Sequence, residues 1–169
     1  MPQVVRYHNW KHEVDVDATS AAYSLLASGE AEGCRCIGCL NWIEQRDNVF
    51  PGAFLSFVQE LGINFRKETE ISEYEDGAVD SHMNLCTGEF LFCGRVISGS
   101  DCFAVQPDKR GATVVLDSRD GILVGVSSNV KWAMTGPATA VFPQATPRAV
   151  VVFQVRVPRG HVYHSERQR

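Results

Sequence analysis

Three cysteines stand close together in the first quarter of the chain, where they could hold a metal ion. Cys34, Cys36 and Cys39 form a C-x-C-x-x-C pattern, and Gly33 and Gly38 give the backbone freedom to turn between them. A Zn²⁺ ion needs several soft donors that converge at about 2.3 Å from one point. The pattern therefore predicts a zinc site with three cysteine ligands, which needs a fourth ligand from elsewhere in the chain.

The fourth ligand is expected from a β-hairpin in the second half of the chain. Apolar strand residues on both sides of Thr87-Gly88 predict a two-residue loop at these positions. In that register His82 lies opposite Cys93, and Cys86 points to the same face of the sheet. We therefore expect Cys93, or else His82, to complete the metal site.

Two other interpretations of the cysteines remain open at this point. Cys36 and Cys39 form a C-x-x-C pair at a predicted helix start, where the helix dipole favours thiolates, so the alternative function is thiol–disulfide redox or sensing. The strand that precedes such a pair in thioredoxin-like proteins is missing before Cys36. In the second of these interpretations, the cysteines bind no ligand and are buried as small apolar side chains, Cys86 and Cys93 among them.

The residues around the cysteines resemble those of a group of uncharacterised small bacterial proteins. In both, C-x-C-x-x-C is followed by Asn and an aromatic residue, then by a helix that starts at Pro and ends in Leu-Gly-Ile. The resemblance spans about residues 12–100 and implies a bacterial or phage-like cytosolic protein, but it implies no activity. The matching positions are Cys34, Cys36, Cys39, Asn41, Trp42, Pro51, Leu61, Gly62, Ile63 and Gly94.

The elements that position the cysteines are predicted to be helices. Asp17 is the expected N-cap of a helix over Ala18–Ser28, and a short helix is expected over Leu40–Arg46. A clearer amphipathic helix runs from Pro51 to Gly62, with apolar residues at helical spacing. The cysteine loop therefore lies between two predicted helices.

Strand patterns fill the second half of the chain. They begin near residue 68, include a hairpin that turns at Asp117–Gly121, and end with Val150–Val157. The prolines in residues 135–149 predict an extended loop. Together these elements predict one α+β domain over residues 1–157, with N-terminal helices packed on a mainly antiparallel sheet.

Composition and charge limit the function classes. The 169 residues are 44% hydrophobic and 21% charged, which is typical of a globular domain. No apolar run approaches the roughly 18 residues that cross a bilayer, and the polar N-terminus is unlike a signal peptide, so a cytoplasmic protein without membrane contact is expected. The net charge of −4 argues against nucleic acid as a partner. Residues 158–169 form a basic tail, predicted to be solvated, beside an acidic strip over 68–89.

Motifs for catalysis are missing from the sequence. It has no G-x-S-x-G elbow, no phosphate-binding loop and no dinucleotide fingerprint. The His8/His12 pair is predicted at the surface, and the His161/His164 pair in a disordered tail. We therefore predict a small, non-enzymatic protein with a zinc-binding structural knot, which binds a protein partner or a second copy of itself. The carboxylates interpreted as solvated are Glu70, Glu73, Asp76 and Asp80.

Overall fold

The computed structural model describes residues 1–75, 82–105, 111–134 and 140–166, and these residues confirm the predicted α+β fold. Seven of their strands pair antiparallel into one sheet, and β5 and β6 form a separate two-stranded ribbon. The strands are β1 (Gln3–Tyr7), β2 (Trp10–Val14), β3 (Glu70–Glu75), β4 (Met83–Ser98), β5 (Phe103–Val105), β6 (Ala112–Val114), β7 (Asp117–Arg119), β8 (Ile122–Ser127) and β9 (Arg148–Pro158).

The helices lie mainly between β2 and β3 in the chain. They are α1 (Val16–Leu25), α2 (Glu30–Cys34), α3 (Ile37–Val49), α4 (Gly52–Glu60) and, after β9, α5 (His161–Glu166). The N-cap of α1 is Asp15 rather than the predicted Asp17, because Asp15 Oδ1 accepts a 2.9 Å hydrogen bond from the Ala18 N–H. The predicted helix over Leu40–Arg46 is the centre of α3. No helix among the described residues has both the length and the apolarity needed to cross a membrane.

The prediction of a hairpin at Thr87-Gly88 is wrong, because one long strand, β4, includes both residues. β4 passes through both residues without a turn and pairs with β9 from Met83 to Cys93. Its other edge pairs with β3 and then with β2. Gly88 is needed for packing, since a Cβ at this residue would come within 2.3 Å of the Phe153 ring.

An aromatic layer joins the helices to the sheet. Phe50, between α3 and α4, lies with its ring centroid 5.0 Å from that of Phe153 on β9. Trp42 of α3 and Phe90 of β4 stack on the same ring at 5.7 and 5.1 Å. Each ring is at least 92% buried, which makes this layer the centre of the core. It fixes α3, and with it the cysteine loop, over the sheet.

Two hairpins enclose the sheet at its edges. A hairpin is present where one was predicted, but its turn is narrower than Asp117–Gly121, because Asp117–Arg119 form β7 and β6 pairs with β5 instead. The chain turns at Asp120 and Gly121, whose positive φ angles of 51° and 91° match a tight two-residue turn. The β1–β2 hairpin was not predicted, and it places His12 on a strand. His12 is fully buried there, so the predicted surface position of His12 is wrong.

The chain after β9 docks on α3 instead of leaving the domain. The Gly160 N–H donates to Asn41 Oδ1 at 2.7 Å, and Asn41 Nδ2 donates to the Pro158 carbonyl at 3.1 Å. These bonds order α5 within the predicted tail, and they could not be read from the tail's basic composition. Parts of the predicted acidic strip, loop and tail lie outside the described residues, namely Asp76, Asp80, 135–139 and 167–169.

Candidate metal centre

A sharp turn between α2 and α3 brings the three cysteines together. Cys34 is the last residue of α2, Cys36 is the N-cap of α3, and Cys39 lies in its first turn. Arg35 between them has a left-handed φ of 56°, and its N–H donates to the Ala31 carbonyl at 3.1 Å. The three Sγ atoms all lie within 4.8 Å of one another, as the sequence pattern predicts.

The three thiol groups can bind one metal ion. A tetrahedral ion with sulfur ligands at 2.3 Å holds them about 3.8 Å apart, so the cluster closes by movements of about 1 Å. Cys34 and Cys36 are exposed, whereas only 8% of Cys39 is exposed. The arrangement therefore supplies three sulfur donors and leaves one tetrahedral position to another ligand.

Cys36 and Cys39 have opposite electrostatic environments. The backbone N–H of Cys39 holds the pKa of Cys36 below its usual value, and hydrogen bonds from neighbouring thiols act in the same direction. Burial raises the pKa of Cys39, and hydrogen bonds with Cys34 and Cys36 raise it further. Without a metal ion, Cys36 is therefore the more readily ionised and reactive of the two.

A buried carboxylate holds the two cysteine-bearing helices in place. Glu68, whose side chain is fully buried, accepts a 3.1 Å hydrogen bond from the Ala31 N–H through Oε1. Its Oε2 accepts a 3.3 Å bond from Arg46 Nη1, and Arg46 also pairs with Glu32. Because Ala31 and Glu32 belong to α2 and Arg46 belongs to α3, this network fixes the geometry of the cysteine turn.

The cysteine cluster opens on a cleft of about 450 Å³. All three cysteines line it, together with Ile37 and Gly38 at the start of α3. Ile71–Tyr74 of β3 and Tyr163 on α5 line the rest of the cleft. A small molecule can therefore reach the thiol groups from the side of the sheet edge.

Glu73 is the carboxylate among the residues that line the cleft. Its Oε1 accepts hydrogen bonds from Asn84 Nδ2 and from the Tyr163 hydroxyl. Its Oε2 is buried, has no hydrogen-bond partner among the described residues, and lies against Gly38, where a Cβ would be 2.6 Å away. Burial raises the pKa of Glu73, while the Tyr163 bond and the charge of Arg159 oppose that effect.

The structure does not bring the predicted fourth ligands to the cluster. Cys93 is fully buried in β4, and its N–H donates to Thr19 Oγ1 at 3.0 Å. His82 directly precedes β4, and its carbonyl accepts a 2.9 Å bond from the Arg159 N–H. Without the predicted turn, Met83 and Cys93 are ten residues apart on one strand, about 33 Å. The predicted pairing of His82 with Cys93 is therefore wrong.

Glu73 and Tyr163 are the site residues that sequence reasoning missed. The sequence did indicate that Glu73 points toward the core, since it alternates with Ser72 and Tyr74 and so shares a face of the strand with the buried Ile71. Its position in an acidic strip outweighed that signal. Tyr163 had none, because its place in the cleft depends on the docking of the chain after β9.

The remaining cysteines match the interpretation as buried side chains. Cys86 and Cys102 are at most 2% exposed. Burial raises the pKa of both thiols, and that of Cys102 reaches about 12. These thiols therefore remain protonated and unreactive at neutral pH.

The chain matches no protein-family model, no curated protein and no solved structure compared with it. Its function is therefore inferred from the site itself. Among the described residues, Cys34, Cys36 and Cys39 are the group of three potential metal ligands whose donor atoms converge.

Proposed function

We propose that the protein binds one zinc-class metal ion through Cys34, Cys36 and Cys39. The observation that carries this proposal is the convergence of the three Sγ atoms within 4.8 Å of one another. Thiolates suit Zn²⁺, whereas Mg²⁺ and Ca²⁺ require oxygen ligands. The ion has a structural role, because it links the end of α2 to the start of α3.

The short helix α2 explains why such a link is useful. A helix of five residues is far too short to be stable by its own hydrogen bonds. Its C-terminal end is also loosely packed, since Cys34 is exposed and a Cβ on Gly33 would touch nothing within 4 Å. The free energy of metal binding would stabilise this turn directly, because the site forms only in the folded chain.

Thiol–disulfide exchange is the second candidate function, and the different environments of Cys36 and Cys39 favour it. The exposed Cys36 thiolate would attack a substrate disulfide and form a mixed disulfide, releasing one substrate thiolate. Cys39 would then lose its proton and attack Cys36 Sγ, which releases the second substrate thiolate and leaves a Cys36–Cys39 disulfide. The substrate disulfide is reduced by two electrons in this sequence.

Elemental analysis of the purified full-length protein, with thiol titration in parallel, distinguishes the two functions. The metal proposal predicts about one zinc per chain and thiols at the cluster that react only after a chelator is added. A protein without metal, in which Cys36 and Cys39 cycle reversibly between thiols and a disulfide, would contradict it and support thiol–disulfide exchange.

A further inference from the structure

The cysteine cluster supplies three donor atoms of one kind. The converging group among the described residues consists of the Sγ atoms of Cys34, Cys36 and Cys39, all within 4.8 Å of one another. A tetrahedral ion such as Zn²⁺ uses these three sulfurs and needs a fourth ligand in addition. A soft acceptor that forms three bonds would have its complete set of ligands in the cluster itself.

Trivalent arsenic is an acceptor of this kind. It forms three bonds in a pyramid, keeps a lone pair at the apex, and prefers thiolate sulfur to oxygen because it is soft. Its bonds to sulfur are about as long as zinc–sulfur bonds, about 2.3 Å. The cluster therefore closes around arsenic by movements similar to those that it needs for zinc.

The turn that carries the cysteines can make these movements without disturbing the core. Cys34 is exposed at the end of the five-residue helix α2, where a Cβ on Gly33 would meet nothing within 4 Å. Cys36 is exposed at the N-cap of α3, and its side chain forms no cap hydrogen bond. Cys39 is 8% exposed in the first turn of α3 and provides the fixed donor. Two sulfurs can therefore adjust their positions to the third.

The cluster is accessible to arsenous acid, the form that trivalent arsenic takes in water. All three cysteines line the cleft of about 450 Å³, and arsenous acid is much smaller than this cleft. It is also uncharged at neutral pH. The net charge of −4, which disfavours the approach of anions such as arsenate, therefore does not oppose it.

We infer that the cluster binds trivalent arsenic through all three sulfurs and releases zinc when it does so. This inference rests on the proposed metal-binding function, since the same three sulfurs hold either element. Three arsenic–oxygen bonds of arsenous acid break and three arsenic–sulfur bonds form. Each hydroxide leaves as water with one proton, which comes from a cluster thiol or, when zinc holds the thiolates, from the solvent. Arsenic remains trivalent, so no electrons are transferred.

Displacement of zinc by arsenite provides the test. The reduced, zinc-loaded, full-length protein is titrated with sodium arsenite in the presence of a chromophoric zinc indicator, and X-ray absorption at the arsenic edge counts the neighbours of the bound arsenic. We expect one zinc to be released for each arsenic bound, and three sulfur neighbours without oxygen. Zinc that stays on the protein at a large excess of arsenite overturns the inference alone, as does arsenic with two sulfurs and an oxygen. A protein that takes up neither element overturns the proposed metal function as well.

Serine variants separate a three-sulfur site from a simple pair of thiols. Cys34→Ser and Cys36→Ser each leave two cluster thiols, and we expect each to bind arsenite at least about tenfold more weakly than wild type. Phenylarsine oxide bonds to only two sulfurs, because a phenyl group takes the third position on arsenic, so both variants should still bind it. Cys102→Ser is the control and should bind arsenite as wild type does, because Cys102 is buried outside the cluster. Arsenite affinities in Cys34→Ser and Cys36→Ser that equal the wild-type affinity overturn the inference.

Discussion

Gly88 of β4 lies directly beneath the ring of Phe153 on β9, and the two residues face each other in the antiparallel register. A Cβ at residue 88 would come within 2.3 Å of Phe153 Cζ and 2.9 Å of Ile71 Cδ1. The ring has little room to retreat, because Trp42 and Phe90 stack against it. The absence of a side chain at Gly88 therefore leaves the space that the ring of Phe153 occupies.

Gly88→Ala should destabilise the fold for this reason. The added methyl group overpacks a filled core, which typically costs about 1–3 kcal/mol. Urea unfolding followed by tryptophan fluorescence measures the effect. Gly52→Ala is the matched control, since a Cβ there meets nothing within 4 Å and α4 gains a better helix former. A Gly88→Ala protein as stable as wild type would contradict this packing.

The same glycine explains where sequence reasoning failed. A glycine after a threonine between two apolar runs is typical of a hairpin loop, but it is equally compatible with a strand that must accommodate a large ring. The residue that decides between them, Phe153, is 65 positions away in the chain. The three helices α1, α3 and α4 and the turn at Asp120-Gly121 were predictable because their signals are local, namely apolar periodicity and turn chemistry. The helices α2 and α5 were not predicted.

The buried Arg46–Glu68 pair should contribute strongly to stability. Arg46→Met would leave the carboxylate of Glu68 buried without its charge partner, and breaking such a pair costs about 3–5 kcal/mol. Arg66→Met is the control, because its pair with Asp47 is about half exposed and is worth about 0–1 kcal/mol. Chemical denaturation of both variants measures the difference. If both variants lost the same small amount of unfolding free energy, Arg46 would not hold α2 against α3.

Glu89 should make the fold less stable as the pH rises. It is 4% exposed on β4, and burial raises its pKa from 4.5 to about 7. The unfolded chain therefore loses this proton at a lower pH than the folded protein does. The stabilising contribution is complete below pH 4.5 and disappears as the pH rises to about 7, a change on the order of 3 kcal/mol.

Glu89→Gln isolates that effect, because the amide has the same shape and does not ionise. The stability of the variant relative to wild type should rise between pH 4.5 and 7.5, measured by urea unfolding at several pH values. Glu60→Gln on the exposed side of α4 is the control and should follow the wild-type profile. A difference in unfolding free energy between Glu89→Gln and wild type that stays constant from pH 4.5 to 7.5 would contradict the assigned pKa.

Substitution of the cysteines should separate metal ligands from buried thiols. We expect Cys34→Ser, Cys36→Ser and Cys39→Ser each to weaken zinc binding at least about tenfold, since each removes one donor of the site. Cys93→Ser should retain zinc whatever it does to stability, because Cys93 is outside the converging group. Competition with a chromophoric chelator measures the affinities. A Cys93→Ser protein that loses its metal would contradict the assignment of ligands.

The candidate site was predictable only where its residues are neighbours in the chain. The spacing of Cys34, Cys36 and Cys39 is local, and the turn between two helices brings them together as expected. The cleft wall is built from β3 and α5, which meet the cysteines only through the tertiary fold. The alternation of β3 indicated only which face of the strand Glu73 occupies, and no pattern in the sequence placed Glu73 or Tyr163 beside the cysteines.

X-ray absorption spectroscopy at the zinc edge of the zinc-loaded, full-length protein tests the central claim most directly. It counts the sulfur and the lighter neighbours of the ion and measures their distances. The account predicts three sulfur neighbours at about 2.3 Å and one oxygen or nitrogen neighbour. An ion surrounded mainly by oxygen and nitrogen, with one sulfur or none, would contradict a metal centre built from Cys34, Cys36 and Cys39.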